Sequence, residues 1–583
     1  MGGNTVRTTV RIGGASGFWG DSSVGAPQLV ARGHVHYLVF DYLAELTMSI
    51  LAAAKAKDAS LGYATDFVTV TMKAILRDVA AKDIRVISNA GGMNPRACAD
   101  AIRALAREQG LDMCIAVVEG DDVREVPSGV PLPVKLLTAN AYLGALPIKQ
   151  ALDAGAQIVI TGRCVDSALT LGALMHEFGW RDDDWDRLAQ GSLAGHIIEC
   201  GCQATGGLHT DWEDVPDWAH IGYPVVECGE DGSFVVTKPE GTGGLVNFAT
   251  VAEQMLYEIG DPRRYLLPDV TCDFSHVTIT EAGRDRVRVQ GARGLAPGPQ
   301  YKVSGTYADG FRCTGQLTIV GIDAVRKARR TGEAILGRTR ELFAQQGLAD
   351  YTRTNVEVLG SELANFGPHA RHADVREAVL RVAVMHPQKA ALEIFAREIA
   401  PAGTSWSPGT TGADGRPHPA PAIKQYAFLI DKTLVRPLVI IGDEARQVPI
   451  PSGQSEVPAP DEIDGDRAAP RVGDTVEVPL VRVAWARSGD KGDISNIGVI
   501  ARRPEWLPHL RTQLTEDRVR AWLAHRVEGR VTRYDVPGIR AMNFVCTQAL
   551  DGGGMASLRN DALGKGMAQI LLSMPLRVPA DWF

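Results

Sequence analysis

Four short apolar segments in the first third of the chain each run directly into a glycine-rich polar loop, and no other feature constrains the fold as strongly. They are Val6–Ile12 before GGASGFWGDSS, Ile84–Ser88 before NAGGMNP, Met113–Val118 before EGDDV, and Gln157–Thr161 before GRCVDSA. The first alternates; the others are short continuous runs, as in strands covered on both faces. Helical spacing lies between them. Residues 38–57 carry Leu38, Tyr42, Leu46, Met48 and Leu51 without Pro or Gly, and further helices are expected at about 64–80, 95–109 and 140–153. Pro95 suits a first helical turn and Gly110 a helix end. Another helix starts in GRCVDSA and carries Leu169, Leu171 and Leu174. Strands alternating with helices predict an α/β fold, a parallel sheet in a three-layer core. The carboxyl ends of such strands share one edge, where ligands bind.

The pattern changes between about 200 and 320. YPVVEC, SFVVTK, HVTITEAGRDRVRVQG, QYKVSG and GQLTIVGIDA read as a β-rich, mixed or antiparallel insertion. Helix and strand then alternate again: helix at 323–346, strand at Thr354–Leu359, helices at 372–385 and 387–399. Residues 401–424 and 451–474 are rich in Pro, Gly and Asp, and the second is the best linker. The chain therefore divides into a core over 1–450, a linker over 451–474 and a smaller α/β piece over 475–583, which opens with a strand at Thr475–Ala486.

Composition excludes several classes. A net charge of -8 and a pI near 5.9 argue against a nucleic-acid binder, which usually carries a basic stripe. No apolar run approaches the roughly 20 residues needed to cross a bilayer, and MGGNTVRTTVRIGG lacks a signal-peptide core. Nine thinly spread cysteines fit a reducing compartment. A cytoplasmic protein is expected, without nucleic-acid or membrane partners. Twofold homo-oligomers are the common state of large α/β chains.

The four loops would place Ser16, Asp21, Asn89, Asn94, Asp121, Asp122, Arg163 and Asp166 along one cleft. One glycine-rich turn is often only a tight turn; four at one sheet edge point to a site. GGASGFWGDS does not match the dinucleotide fingerprint and no G-x-x-x-x-G-K-[ST] loop exists, so no cofactor is expected. Helix starts after Ser16, Gly92 and Arg163 suit a phosphate or carboxylate. Arg163 adds a cationic fork, unless it merely pairs with Asp166 at i+3.

HIIECGCQATGG brings His196, Glu199, Cys200 and Cys202 together. The C-x-C spacing is shorter than in zinc sites, so no metal is expected. Cys200 is a candidate nucleophile with His196 at i+4, although a small buried thiol is the commoner outcome. PEGTGG offers a backbone nest at Gly241, Thr242 and Gly243, with Glu240 inside it. Near the C-terminus, ARSGDKGDISNIG presents Arg487, Asp490, Lys491, Asp493 and Asn496, and ALDGGGMASLRNDALGKG reads as the facing half of a polar site.

IGGASGFWGD, DYLAELTM, SNAGGMNP, NAYLGALPI, VITGRCVDSAL, HEFGW, GHIIECGCQATGG, KPEGTGG and EQMLYEIGDPRRYLLPDV together resemble the acyclic terpene utilisation AtuA-like family. ARSGDKGDISNIG and GGGMASLRNDALGKG resemble its C-terminal ferredoxin-like companion. The resemblance spans roughly 6–446 and 479–583, with Cys202 as a departure within the ECG-x-Q-x-TGG motif. It implies a smaller C-terminal α+β, ferredoxin-like domain and a place in terpenoid breakdown through acyl-CoA intermediates.

Three functions follow. The first is an enzyme hydrating, dehydrating or cleaving a branched acyl-CoA or related carboxylate, with coenzyme A as part of the substrate. Asp21, Asp122, Asp166 and Glu199 would be its carboxylates; Ser16, Asn89, Asn94, Arg163, the 241–243 nest, Arg487, Asp490, Lys491 and Asn496 would bind substrate. The second is a hydrolase or acyl-transfer enzyme with Cys200 or Ser16 as nucleophile. The third is a non-catalytic acyl-CoA-binding or scaffold subunit of a carboxylase pathway. Four polar loops on one sheet edge favour an enzyme.

Overall fold

The computed structural model describes residues 7–412, 415–455 and 473–583. Its largest sheet has eleven strands. At the centre five run parallel in the order Thr9–Gly14, Tyr37–Phe40, Arg85–Ser88, Ile158–Thr161 and Ile115–Glu119. Their Val and Ile side chains are buried on both faces, where β-branched residues pack well. Helices Leu146–Asp153, Ala168–Phe178 and Trp185–Ile198 cover one face. Gly25–Arg32, Lys73–Ala81 and Pro95–Glu108 cover the other. This is the three-layer α/β core expected from the strand–loop–helix alternation.

Antiparallel strands extend the sheet at both ends. The β-rich region is accordingly split. Val225–Gly229, Phe234–Thr237, Thr278–Gly283 and Arg286–Gln290 join the main sheet, whereas the 21-residue strand Gln300–Val320 centres a second, six-stranded sheet. That sheet also takes Leu136–Ala141, Glu377–His386 and Ala420–Asp431.

Some expected elements are corrected. The helix expected over 38–57 opens as the strand Tyr37–Phe40, and helix begins only at Glu45–Lys57. The helix expected over 372–385 is the strand Glu377–His386. YLVF and VLRVAVM are nearly continuous apolar runs, in which periodicity does not decide and pairing with a neighbour does. The 140–153 helix is confined to Leu146–Asp153, after a strand. The strand expected at Thr475–Ala486 is broken by a turn into Thr475–Pro479 and Ala484–Lys491. Val6 and most of the 451–474 linker lie outside the described residues.

The C-terminal part forms the expected smaller α+β domain. Its antiparallel sheet runs Ala484–Lys491, Ile494–Ala501, Ala541–Cys546, Val531–Val536 over a separate core containing Ile497, Leu510, Phe544 and Leu571. Its first hairpin lies against residues 253–258 of the larger part, with Arg487 bonded to Glu253 and Asn496 to Leu256.

Candidate active site

Close backbone approach builds the site. A Cβ on Gly14 would lie 2.4 Å from the Ile198 carbonyl, and one on Gly17 2.7 Å from the Cys200 backbone. Glycine at both positions lets the Trp185–Ile198 helix end directly on the first loop. That helix end delivers Glu199 and Cys200 to the carboxyl edge of the sheet.

Asp41 follows the Tyr37–Phe40 strand and is 8% exposed. Asn89, at the end of the next strand, donates from Nδ2 to Asp41 Oδ1 at 2.6 Å, and Ser16 Oγ donates to the Asp41 carbonyl at 3.2 Å. Burial pushes the Asp41 carboxyl well above the usual carboxylate range. Asp166 and Glu199 push the same way, against Arg163 and Asn89. Asp41 is thus a carboxyl held toward its neutral form beside other acids, the condition of a general acid.

Arg163 is 4% exposed and organises the next layer. Its Nη1 donates to Asp166 Oδ1 at 2.8 Å and to the Leu43 carbonyl at 2.9 Å, and its guanidinium lies 4.2 Å from the Tyr142 ring centre. Tyr142 donates to Glu45 at 2.8 Å. Burial opposes the Glu45 charge, but Arg163, Lys302 and Lys491 overcome it and hold its pKa at about 2. Glu45 therefore stays ionised and serves as a fixed counter-charge.

Glu199 accepts from or shares a proton with His196 Nδ1 at 3.1 Å, while His196 Nε2 faces the Met255 carbonyl at 3.2 Å. Burial lifts the Glu199 carboxyl; His196 opposes and Asp166 adds to the rise. Burial lowers His196, but the hydrogen bond and charge of Glu199 outweigh it and raise the imidazole. The pair is a proton-holding unit suited to general acid–base work. Both His196 nitrogens are engaged, so Cys200 lacks the basic partner expected at i+4. Burial and the Glu199, Glu258 and Asp41 charges push its thiol well above normal. Cys200 is not an activated nucleophile, and Ser16 is spent on the Asp41 carbonyl.

The C-terminal hairpin supplies the cations. Lys491 Nζ lies 2.6 Å from Glu258, and its side chain is 47% exposed. Burial opposes the ammonium, but Glu258, Tyr265 and Asp166 raise it well above a free lysine. Lys491 is therefore a half-exposed cation on the Glu258 carboxylate, close enough to Asp166 for their charges to act on each other. Lys565 joins Asp490 at 2.9 Å and contacts the Tyr257 hydroxyl. Glu258 takes a left-handed φ of 60°, costly for a side-chain-bearing residue. Its N–H is held by Asn496 Oδ1 at 2.9 Å, and a Cβ on Gly489 would sit 2.5 Å from its side chain. Lys302 adds a further cation, which burial depresses, Glu45 raises and Lys491 and Arg163 lower.

Of the residues expected from sequence, the site gathers Arg163, Asp166, Glu199, Cys200, Asp490 and Lys491, whose charges act on one another, with Ser16 and Asn89 bonded to Asp41. Others are corrected. Asp122 turns outward and pairs with Arg124 at 2.6 Å; its neighbour Asp121 points inward and accepts from Arg163 N and Asn140. Alternation along an extended chain sends consecutive residues to opposite faces. Asp21 closes its own loop by accepting from Gly17 N and Tyr223. Asn94 holds the Ala59 and Leu61 carbonyls. The 241–243 nest is zipped onto residues 216–222 through Gly243, Gly244 and Gly222 amides, and the Thr242 hydroxyl returns to Pro239. Arg487 is buried against Glu253, Gln254 and the Gly207 carbonyl. Asn496 positions Glu258 instead of meeting solvent.

Asp41, Glu45, Tyr142, Tyr257, Glu258, Tyr265, Lys302 and Lys565 were not found from sequence. The signal for Asp41 was present: YLVF followed by Asp-Tyr repeats the strand-then-polar-loop pattern, hidden by the helical reading of 38–57. Glu258 lies within EQMLYEIGDPRRYLLPDV and Lys302 within QYKVSG, stretches that carry the family likeness and a strand pattern but no loop chemistry that singles out either residue. Among the described residues no group of three or more His, Cys, Asp and Glu is arranged to hold a metal ion. No helix among them is long and apolar enough to cross a membrane.

The family model for the acyclic terpene utilisation family protein AtuA matches residues 10–441. The model for the AtuA ferredoxin-like domain matches residues 478–577. No curated protein and no solved structure matches the chain. The first match alone spans well over half of the polypeptide, so this protein belongs to the acyclic terpene utilisation family AtuA and carries that family's ferredoxin-like domain in the same chain.

Proposed function

We propose that this chain is an enzyme of acyclic terpenoid or branched-chain acid catabolism that adds water to, or removes it from, an acyl-CoA thioester. The observation that carries the reading is the convergence of a buried, proton-retaining Asp41 with the Glu199–His196 pair and the Lys491 and Arg163 cations. Hydration of a conjugated thioester needs a base for water, an acid for the α-carbon and positive charge near the carbonyl oxygen. Glu199 takes a proton from water as the oxygen bonds to the β-carbon. The double-bond electrons move toward the thioester oxygen, which Lys491 steadies. Asp41 then delivers its proton to the α-carbon, and a proton passing from Glu199 back to Asp41 resets the site. Coenzyme A enters as part of the substrate, and the reading requires no resident cofactor.

The test is ligand-induced stabilisation of the full chain by branched acyl-CoAs, followed by turnover. A ligand at one hundred times its dissociation constant raises stability by about 2.7 kcal/mol. Branched acyl-CoAs should raise the melting temperature, and Lys491→Ala should reduce the effect. Stabilisation by free acids alone would remove the thioester from the proposal.

A further inference from the structure

A second polar cavity, of about 200 Å³, lies where the strand Arg353–Leu359 and the helix Ala324–Gln345 meet the C-terminal domain. On the same measure a single water needs only about 10–15 Å³, so the space holds a polyatomic ligand. Its wall brings together Arg329, Asn355, Glu357, His525, Arg526 and Arg559. None of them belongs to the site described above.

The charges do not balance. Glu357 is already matched, accepting from Arg381 at 2.7 Å and from the Asn560 amide at 2.9 Å. Arg526 is 2% exposed; it pairs with Asp561 at 3.6 Å and donates from its Nη atoms to oxygens of Ala364, Asn365 and Asp561, which leaves Nε without an acceptor. Arg559 donates from Nη1 to the carbonyls of Arg526 and Ala549 and makes no ion pair among the described residues. Arg329 is exposed on its helix, with no hydrogen bond or ion pair there either. Two buried polar atoms of this wall are orphaned: the donor Arg526 Nε and His525 Nδ1. His525 Nε2 is occupied by the Asn365 carbonyl at 2.7 Å. An unmade hydrogen bond on a buried group costs about 1–3 kcal/mol, and a buried guanidinium without a full partner set invites an anion.

We propose that this cavity is a binding site for a phosphate group, held by Arg526 and Arg559 from the C-terminal domain and by Arg329 from the core. The charges of Arg559 and Arg329, which make no ion pair among the described residues, match a dianion better than a singly charged carboxylate. Guanidinium forks suit phosphate oxygens. The group arrives either as free phosphate or on a nucleotide, and the two sources share this chemistry. The site is separate from the proposed acyl-CoA reaction and does not depend on it.

The experiment is calorimetric titration of the full chain with inorganic phosphate, and separately with adenosine monophosphate, at constant ionic strength in chloride. Saturable single-site binding is expected, weakened by at least about tenfold in Arg329→Glu and unchanged in Lys491→Ala. Arg329→Glu should melt with the parent, because the residue is exposed and unbonded. Tighter binding of the nucleotide than of phosphate supports a nucleotide-borne group; equal binding supports the free anion. Absence of binding for both ligands, binding retained in Arg329→Glu, or binding lost in Lys491→Ala would each overturn the proposal.

Discussion

The side-chain amide of Asn89 donates to Asp41 Oδ1 at 2.6 Å while its own oxygen accepts the Tyr42 amide at 2.7 Å. Asn89 is fully buried, so one strand end fixes both the carboxyl of the next and the backbone that carries it. Removing the amide in Asn89→Ala orphans the Tyr42 N–H and should cost about 1–3 kcal/mol in urea unfolding. Asp41→Asn keeps the shape of the site but not its proton. It should lower kcat by about two to four orders of magnitude, with the melting temperature within a few degrees of the parent.

The pH–rate profile should be bell-shaped. Glu199 must be ionised to accept a proton, so the rate climbs as pH rises through its lifted pKa. Asp41 must be protonated to donate, so the rate falls as pH rises through its own raised pKa. Glu199→Gln should abolish the acid limb in what activity remains, and Asp41→Asn the alkaline limb. Steady-state kinetics across pH on both variants checks the assignment; interchanged limbs would reverse the two roles.

Glu45 makes a stability prediction of opposite sign to a raised carboxyl. Its folded pKa of about 2 lies below the ordinary value of 4.5. The stabilisation is therefore fully present above about pH 4.5 and lost as pH falls through about 2. Glu45→Gln should cost at most about 3 kcal/mol at neutral pH, less where water screens the partly exposed side chain. The difference from the parent should vanish toward pH 2 in denaturant titrations. Asp121 behaves conversely: burial raises it to about 6 against the Arg163 and Asn140 hydrogen bonds. Its contribution is full below about 3.8 and lost as pH rises through about 6, so Asp121→Asn should flatten that part of the curve.

Arg487 and Lys491 stand four residues apart with different duties. Arg487 meets Glu253 at 3.0 Å; Glu253 is fully buried and also faces His209 at 2.9 Å. Arg487→Met removes the guanidinium from that carboxylate, leaving it only His209 and Thr210, and should cost about 3–5 kcal/mol, seen as a large fall in the calorimetric melting temperature. Lys491→Ala should leave melting nearly unchanged while raising KM for the thioester.

The sheet edge was legible because strand and loop chemistry change abruptly there, as at Val159-Ile160-Thr161 before Gly162-Arg163. The inward member of a polar pair was not, since Asp121 and Asp122 differ only in the face each occupies. Nor was the contribution of Glu258, whose contact with Gly489 exists only once the two domains dock. Arg487 and Asn496 were expected to bind substrate from a glycine-punctuated polar turn, but the partners that fix their structural roles lie more than two hundred residues away. Sequence spacing does not record such distances.

The most direct measurement is product analysis after incubating the full chain with a branched, conjugated enoyl-CoA in heavy-oxygen water, parent beside Asp41→Asn. The account predicts one heavy oxygen at the β-carbon of an intact thioester for the parent and at least about a hundredfold slower formation of that product by the variant. Heavy oxygen in a free carboxylate with release of coenzyme A, or equal turnover by the two proteins, would contradict it.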